Sequence, residues 1–312
     1  MRSAPQRPSG SRVGVPHRRA GARRRHQRLS HAVDPAELVD DWPAERVAVI
    51  AADRVTSTVT EIGDTSEVFR LASITKVMTA LAVMVAVEEG TVDLDRALDA
   101  DLGAPAGVTV RMLLAHAGGY PFESSLGTMS EPLTRRIYSN SGIEMVGDAL
   151  ARSTSMSAVD YITDAVMTPL AMTSTTLSGS VAHGASASAS DVSRLLDELL
   201  EPTLVSRATI DEMTRIQYPD LAGIVPGVGR FDPCPWGLGV EIRGVKSPHW
   251  MGRATSPRTF GHFGGAGTMA WVDPESRRTL VALTDLPFDQ WGGTAVRHWG
   301  TLSDLVSGAR PA

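Results

Sequence analysis

Lysine is nearly absent from this sequence. Of the 30 basic residues among 312, only Lys76 and Lys246 are lysine, and the rest are arginine. Asparagine occurs once, at Asn140, and cysteine once, at Cys234. A lone cysteine excludes an internal disulfide and leaves the redox compartment open. Between Pro233 and Pro235 it reads as a small buried residue rather than a nucleophile. Long apolar runs are missing too. The longest, residues 77–87, contains Thr79 and falls well short of the about 20 residues that span a bilayer, so it is expected to be a core helix. There is no G-x-S-x-G elbow, no H-E-x-x-H on which to build a zinc site and no phosphate-binding loop ahead of either lysine. The eight histidines are scattered. No metal or cofactor is expected.

Charge is unevenly spread. Residues 1–31 hold nine arginines and no acidic residue, so the remainder is more acidic than the formal net charge of −5 indicates. That segment is also rich in Gly, Pro and Ser without apolar periodicity, and is expected to be a disordered tail rather than a basic arm for nucleic acid. It contains no apolar stretch of the roughly 7–15 residues that a secretory signal requires. The expectation is a cytoplasmic protein with one large domain over residues 32–312 and no nucleic-acid or membrane partner.

Strand character appears at residues 46–52 and 55–62 and returns at 237–242, 267–272 and 279–284, from period-two alternation and Val, Thr and Ile content. A helical run over 73–89 is closed by Gly90. Spaced apolar residues predict helices at 110–114, 143–152, 158–166 and 189–200, and a last helix at about 294–306. Strands near both ends and helices between them predict an α/β (α+β) fold. An antiparallel sheet flanked by helices forms one lobe from residues 32–92 and 235–312, and a mostly helical lobe, 93–234, is inserted.

The retained lysine has a chemical reason. Ser73 and Lys76, three apart on a helix, share a face. A serine hydroxyl is a poor nucleophile until a base takes its proton, and a buried lysine can become that base. A depression of about 3 units asks the fold for about 4 kcal/mol, whereas arginine stays protonated throughout. Alone the spacing is weak, because with 28 serines and two lysines it arises by accident in about one chain in five. Asn140 raises its meaning. The single asparagine lies two residues after Tyr138, one of four tyrosines, a placement with a chance of about 1%. An extended Tyr-x-Asn points both side chains the same way. The phenol can exchange protons with a nucleophile or leaving group, and the carboxamide can hold a substrate carbonyl or the lysine. Three H-x-G triplets occur, at His116, His262 and His298. Context selects His262, in a glycine-rich stretch whose backbone can approach a substrate closely.

Ser-x-x-Lys, Tyr-x-Asn and His-x-Gly in this order resemble the serine β-lactamase and penicillin-recognising superfamily, in the branch of class C β-lactamases, D-alanyl-D-alanine carboxypeptidases, D-aminopeptidases and β-lactamase-like esterases. The segments "LLAHAGG" (113–119), "YSNSGIEMVGDAL" (138–150), "MTPLAMTSTTL" (167–177) and "WGLGV" (236–240) extend the likeness over most of residues 45–290. The resemblance implies acylation of Ser73, proton management by Lys76 and Tyr138, and substrate contacts from Asn140, His262, Gly264 and Gly265. The backbone N–H groups of Ser73 and Gly265 would form the oxyanion hole. Two departures shape the substrate. Phe263 stands where a Thr or Ser hydroxyl is usual and cannot donate a hydrogen bond, and His262, where many relatives carry lysine, offers less fixed charge when neutral. Both favour an uncharged ester or amide over a β-lactam or a D-alanyl-D-alanine peptide. The alternative of another class is a non-catalytic binding or regulatory relative.

Overall fold

The computed structural model describes residues 34–99, 102–123 and 127–309, so the arginine-rich tail expected at 1–31 lies outside the described residues. The first elements are α1 (Pro35–Asp40), β1 (Val47–Asp53), β2 (Thr58–Ile62), β3 (Val68–Arg70), α2 (Thr75–Glu88), α3 (Val110–Leu114), β4 (Arg136–Ile137) and α4 (Asn140–Thr154). Next come α5 (Ala158–Ile162), β5 (Thr176–Leu177), β6 (Ala185–Ser188), α6 (Ala189–Leu200), α7 (Arg207–Thr214), β7 (Gly223–Val225) and β8 (Gly229–Phe231). The chain closes with β9 (Glu241–Ile242), β10 (Phe260–Gly264), β11 (Thr268–Asp273), β12 (Arg278–Thr284) and α8 (Ala295–Val306).

Both ends of the chain build one six-stranded sheet in the order β2-β1-β12-β11-β10-β9, and every pairing in it is antiparallel. At its centre β1 lies against β12, with Val47 opposite Thr284 and Asp53 opposite Arg278. Alternation sorts the side chains to two cores. Ala48, Ile50, Ala270, Val272, Val281 and Leu283 face the core that holds α2. Val49, Met269, Trp271, Leu280 and Ala282 face the core that holds Trp299 and Leu302 of α8 and Val39 of α1. The antiparallel sheet flanked by helices is thus present as the sequence predicts. Among the described residues, no helix is long and apolar enough to cross a membrane.

Three local differences have physical causes. The turn between β1 and β2 is longer than the pattern implies, because the Asp53 carboxylate accepts from the backbone N–H of Val55 and Thr56 and holds an Asx turn. Residues 237–242 yield only the two-residue β9, because Gly239 takes a left-handed φ of +71° in a turn closed by Gly237 N–H donating to Val240 O. The interval 93–234 also contains short strands, which join two small sheets, β3-β6-β5 and β4-β7-β8. Within that interval, α6 packs on β1, β11 and β12 of the large sheet.

Candidate active site

Ser73 sits in a single 3-10 turn, Ala72–Ile74, that leads into α2. Ala72 before it is held at a left-handed φ of +46°, a strained conformation that costs a non-glycine residue of order 1–3 kcal/mol. The turn is braced by Thr75, whose Oγ1 donates to Ala72 O (2.6 Å) and accepts from Ala185 N–H (3.1 Å). Thr79 Oγ1 donates to Val181 O (2.7 Å), so segment 181–185 is tied along α2. That tie brings a backbone carbonyl to the lysine. Lys76 Nζ reaches Asn140 Oδ1 at 2.6 Å, Ala182 O at 2.9 Å and Ser73 Oγ at 3.2 Å.

Lys76 is fully buried. Burial pushes its amine down to about 7, against the opposing attraction of Glu144 and Glu123. Near neutral pH the amine is therefore divided between its charged and neutral forms. Asn140 is fixed from both sides, because its Nδ2 donates to Glu123 Oε1 (3.0 Å) while its Oδ1 takes the lysine. Of the two uses open to this carboxamide, the geometry places it on the lysine. Its position follows from local sequence: Ser139 Oγ accepts from Gly142 N–H (2.8 Å) and caps α4, of which Asn140 is the first residue.

Tyr138 precedes that cap. Burial holds its phenol well above the ordinary range, against the smaller opposing effect of Ser73, and so protonated. The hydroxyl lies 3.5 Å from His262 Nε2. Burial and then the Lys76 charge push His262 down to about 3, so the imidazole is neutral. Its Nδ1 faces Phe263 O at 2.6 Å. A carbonyl can only accept, so Nδ1 carries the proton and Nε2 is left as an acceptor towards Tyr138.

A second histidine clamps the same tyrosine. His116 O accepts from Ile137 N–H (2.9 Å) and His116 Nδ1 accepts from Ser139 N–H (3.3 Å). Its ring lies 4.6 Å from that of Tyr138 and 4.7 Å from that of Trp236. Burial holds His116 well below its ordinary range, so no second cation stands beside Lys76. Sequence reasoning about single residues missed His116, Trp236 and Glu123. The first two lie in "LLAHAGG" and "WGLGV", whereas Glu123 carries no signal of its own.

Strand β10 runs past the serine turn. A Cβ at Gly264 would lie 2.1 Å from Leu71 O, whereas one at Gly265 would meet nothing within 4 Å. Gly264 is therefore the contact between strand and turn, and Thr268 Oγ1, donating to Leu71 O (2.9 Å), pins the same carbonyl. Ser73, Tyr138, Asn140, His262, Phe263 and Gly265 all line one cavity of about 740 Å³. The Phe263 ring packs 5.2 Å from Phe288 and 5.6 Å from Trp250, in the aromatic layer beneath α8. Lys76 stands behind this cavity wall, against Ser73 and Asn140. Lys246, the other lysine, is also buried, but there it pairs with Glu241. That carboxylate also receives His249 Nε2 and Trp250 Nε1, both at 2.8 Å. Burial alone would raise Glu241, and Lys246 with His249 reverses the shift and holds it well below the carboxylate range. Among the described residues, no group of three or more His, Cys, Asp or Glu side chains is placed to hold a metal ion.

Comparison with known proteins shows the family and the fold. Residues 46–293 match the family model described as Beta-lactamase. A β-lactamase structure from Mycobacterium bovis is 40% identical, with a TM-score of 0.81 over 88% of this chain and 98% of that one. Two others share the fold at 17% identity and a TM-score of 0.70. Unliganded simvastatin synthase from Aspergillus terreus matches over 88% of this chain and 99% of its own. EstCE1, described as a hydrolase with promiscuous acyltransferase activity, matches over 88% and 97%. No curated protein sequence matches. With its serine turn, buried lysine and glycine-edged strand framing one cleft in a fold matched along most of its length, this chain belongs to the β-lactamase family.

Proposed function

We propose that the protein is a serine hydrolase that cleaves an ester or amide, uncharged beside the scissile carbonyl, through an acyl-enzyme on Ser73, in the manner of a β-lactamase-like esterase. One observation carries the reading. Two of the three groups around Lys76 Nζ, Asn140 Oδ1 and Ala182 O, can only accept hydrogen bonds. A neutral amine gives its two N–H bonds to them, and its lone pair is left for the Ser73 hydroxyl. Lys76 then takes the Ser73 proton as Oγ attacks the scissile carbonyl. The oxyanion is met by the N–H groups of Ser73 and Gly265, each such donor being worth about 2.7–4 kcal/mol. Tyr138, kept protonated by burial, is unsuited to be the base. It relays the proton from Lys76 to the leaving group, and water attacks the acyl-enzyme with the same proton path reversed.

A neutral His262 and an apolar Phe263 favour a substrate without a charge beside the scissile carbonyl. The 40% identical structure described as a β-lactamase favours a second reading, opening of a β-lactam on the same serine. The test compares wild type with Ser73→Ala on short p-nitrophenyl esters, a chromogenic cephalosporin and a D-alanyl-D-alanine peptide. Ester turnover that depends on Ser73 is expected. Equal turnover by both proteins would sink the mechanism, and fast Ser73-dependent opening of the cephalosporin or release of D-alanine would replace the esterase reading. No Ser73-dependent turnover of any substrate would favour a non-catalytic relative.

A further inference from the structure

Beside the catalytic cavity lies a second one, of about 530 Å³, and the two share Phe122, Tyr138 and Pro226 as walls. Its floor is the small sheet β4-β7-β8, in which Ile137 is opposite Ile224 and Ile224 is opposite Arg230. Such cross-strand partners lie on one face of a sheet. The opposite face is sealed, since Val225 packs with Cys234 and Trp236. The outward face is apolar yet open: Ile224 is 59% exposed, and the flanking Phe122 and Met129 are 50% and 63% exposed. Contiguous exposed apolar side chains are unusual on a protein surface and mark a binding site.

The charges around it have one sign. Arg135, Arg136 and Arg230 line the cavity, and among the described residues no acidic side chain does. Arg136 is buried and spends its guanidinium on carbonyls, including Cys234 O and Gln217 O. Arg135 and Arg230 are exposed, and among the described residues neither guanidinium has an ion-pair or hydrogen-bond partner. Resting on the hydrolase reading above, we propose that this cavity seats a substrate arm that is apolar along its length and ends in an anion, so that the preferred substrates are esters or amides bearing a distal carboxylate. The charge is recognised at the far end of the arm, away from the neutral His262 beside the scissile bond. The arm can belong to either side of that bond.

The test measures binding to the Ser73→Ala protein by calorimetry, using monomethyl and dimethyl esters of succinic, adipic and suberic acids, with ω-acetoxyoctanoate carrying the arm on the alcohol side. Affinity is expected to rise by up to about fourfold for each methylene that becomes buried as the chain enters the cavity. For suberate, the monoester with its free carboxylate is expected to bind about fivefold tighter than the diester at low salt, from two exposed ion pairs. The paired reversal Arg135→Glu with Arg230→Glu should abolish that difference, and the milder Arg135→Gln with Arg230→Gln should reduce it. Equal binding of monoester and diester, a preference that survives charge reversal, or affinity independent of chain length would each overturn the proposal. Wild-type turnover separates this from the parent reading: selective binding without Ser73-dependent hydrolysis contradicts the hydrolase, and hydrolysis without selectivity contradicts the arm.

Discussion

Replacing Lys76 with methionine should change how stability depends on pH in a way that follows from the burial of its amine. The group has an ordinary value of 10.5 and lies at about 7 in the folded protein. Between those values the unfolded chain holds a proton that the folded protein has released, so stability rises with pH across the window. The full difference corresponds to about 5 kcal/mol, borne entirely below about pH 7 and relieved as pH approaches 10.5. Between about pH 6 and about pH 9.5 the wild type should gain about 3 kcal/mol from this group. Lys76→Met removes that gain. Its absolute stability is less informative, because Asn140 Oδ1 and Ala182 O lose their donor at about 1–3 kcal/mol each. The measurement is the variant-minus-wild-type unfolding free energy from urea titrations at both pH values. It should be about 3 kcal/mol more favourable to the variant at the lower pH, since the wild type alone carries a buried charge there. A difference that is flat with pH would refute a depressed Lys76.

The remaining expectations concern rate and packing. Ester hydrolysis by the wild type should lose activity on the acid side with an apparent value of about 7, as Lys76 becomes protonated; a limb near 4 or none at all would argue against lysine as base. Gly264→Ala places a Cβ 2.1 Å from Leu71 O and should lower kcat/KM at least about 100-fold by separating β10 from the serine turn, whereas Gly265→Ala should leave the melting temperature nearly unchanged. Glu241→Ala strands the buried Lys246 and His249 and should cost about 3–5 kcal/mol in denaturant unfolding; a loss below about 1 kcal/mol would show that the cluster is not a true buried ion pair.

What could be read from sequence was what rests on short-range pattern or on rarity. β1, β11 and β12 are buried along almost their whole length and so read as short runs rich in apolar and β-branched residues, which made the sheet visible from both ends of the chain. Ser73, Lys76, Tyr138 and Asn140 stood out because a lone asparagine and two lysines in an arginine-rich chain need a reason, and His262 because of the glycine-rich stretch around it. The small sheets were not, since strands of two or three residues are too short to show a period. Nor was β10 visible as a strand, because its two glycines interrupt the alternation. The tie of Lys76 to Asn140 joins residues 64 apart and that to Ala182 joins residues 106 apart, and no local pattern encodes them. Asn140, read as a holder of either a substrate carbonyl or the lysine, meets Lys76 and Glu123 at its two polar ends and also lines the cavity. Lys246 shows the limit of rarity as a guide: it is as scarce as Lys76 and just as buried, but its partner is Glu241 rather than a nucleophile.

The central claim is that Ser73 carries a covalent acyl group during turnover. Intact-protein mass spectrometry after rapid acid quench of a p-nitrophenyl ester reaction tests it most directly, followed by fragmentation of the peptide that contains residue 73. Wild type should gain the mass of one acyl group, located on Ser73, and Ser73→Ala should gain none. Accumulation should be slower in Lys76→Met. An adduct on another residue, or rapid Ser73-dependent hydrolysis with no adduct at any quench time, would contradict the claim.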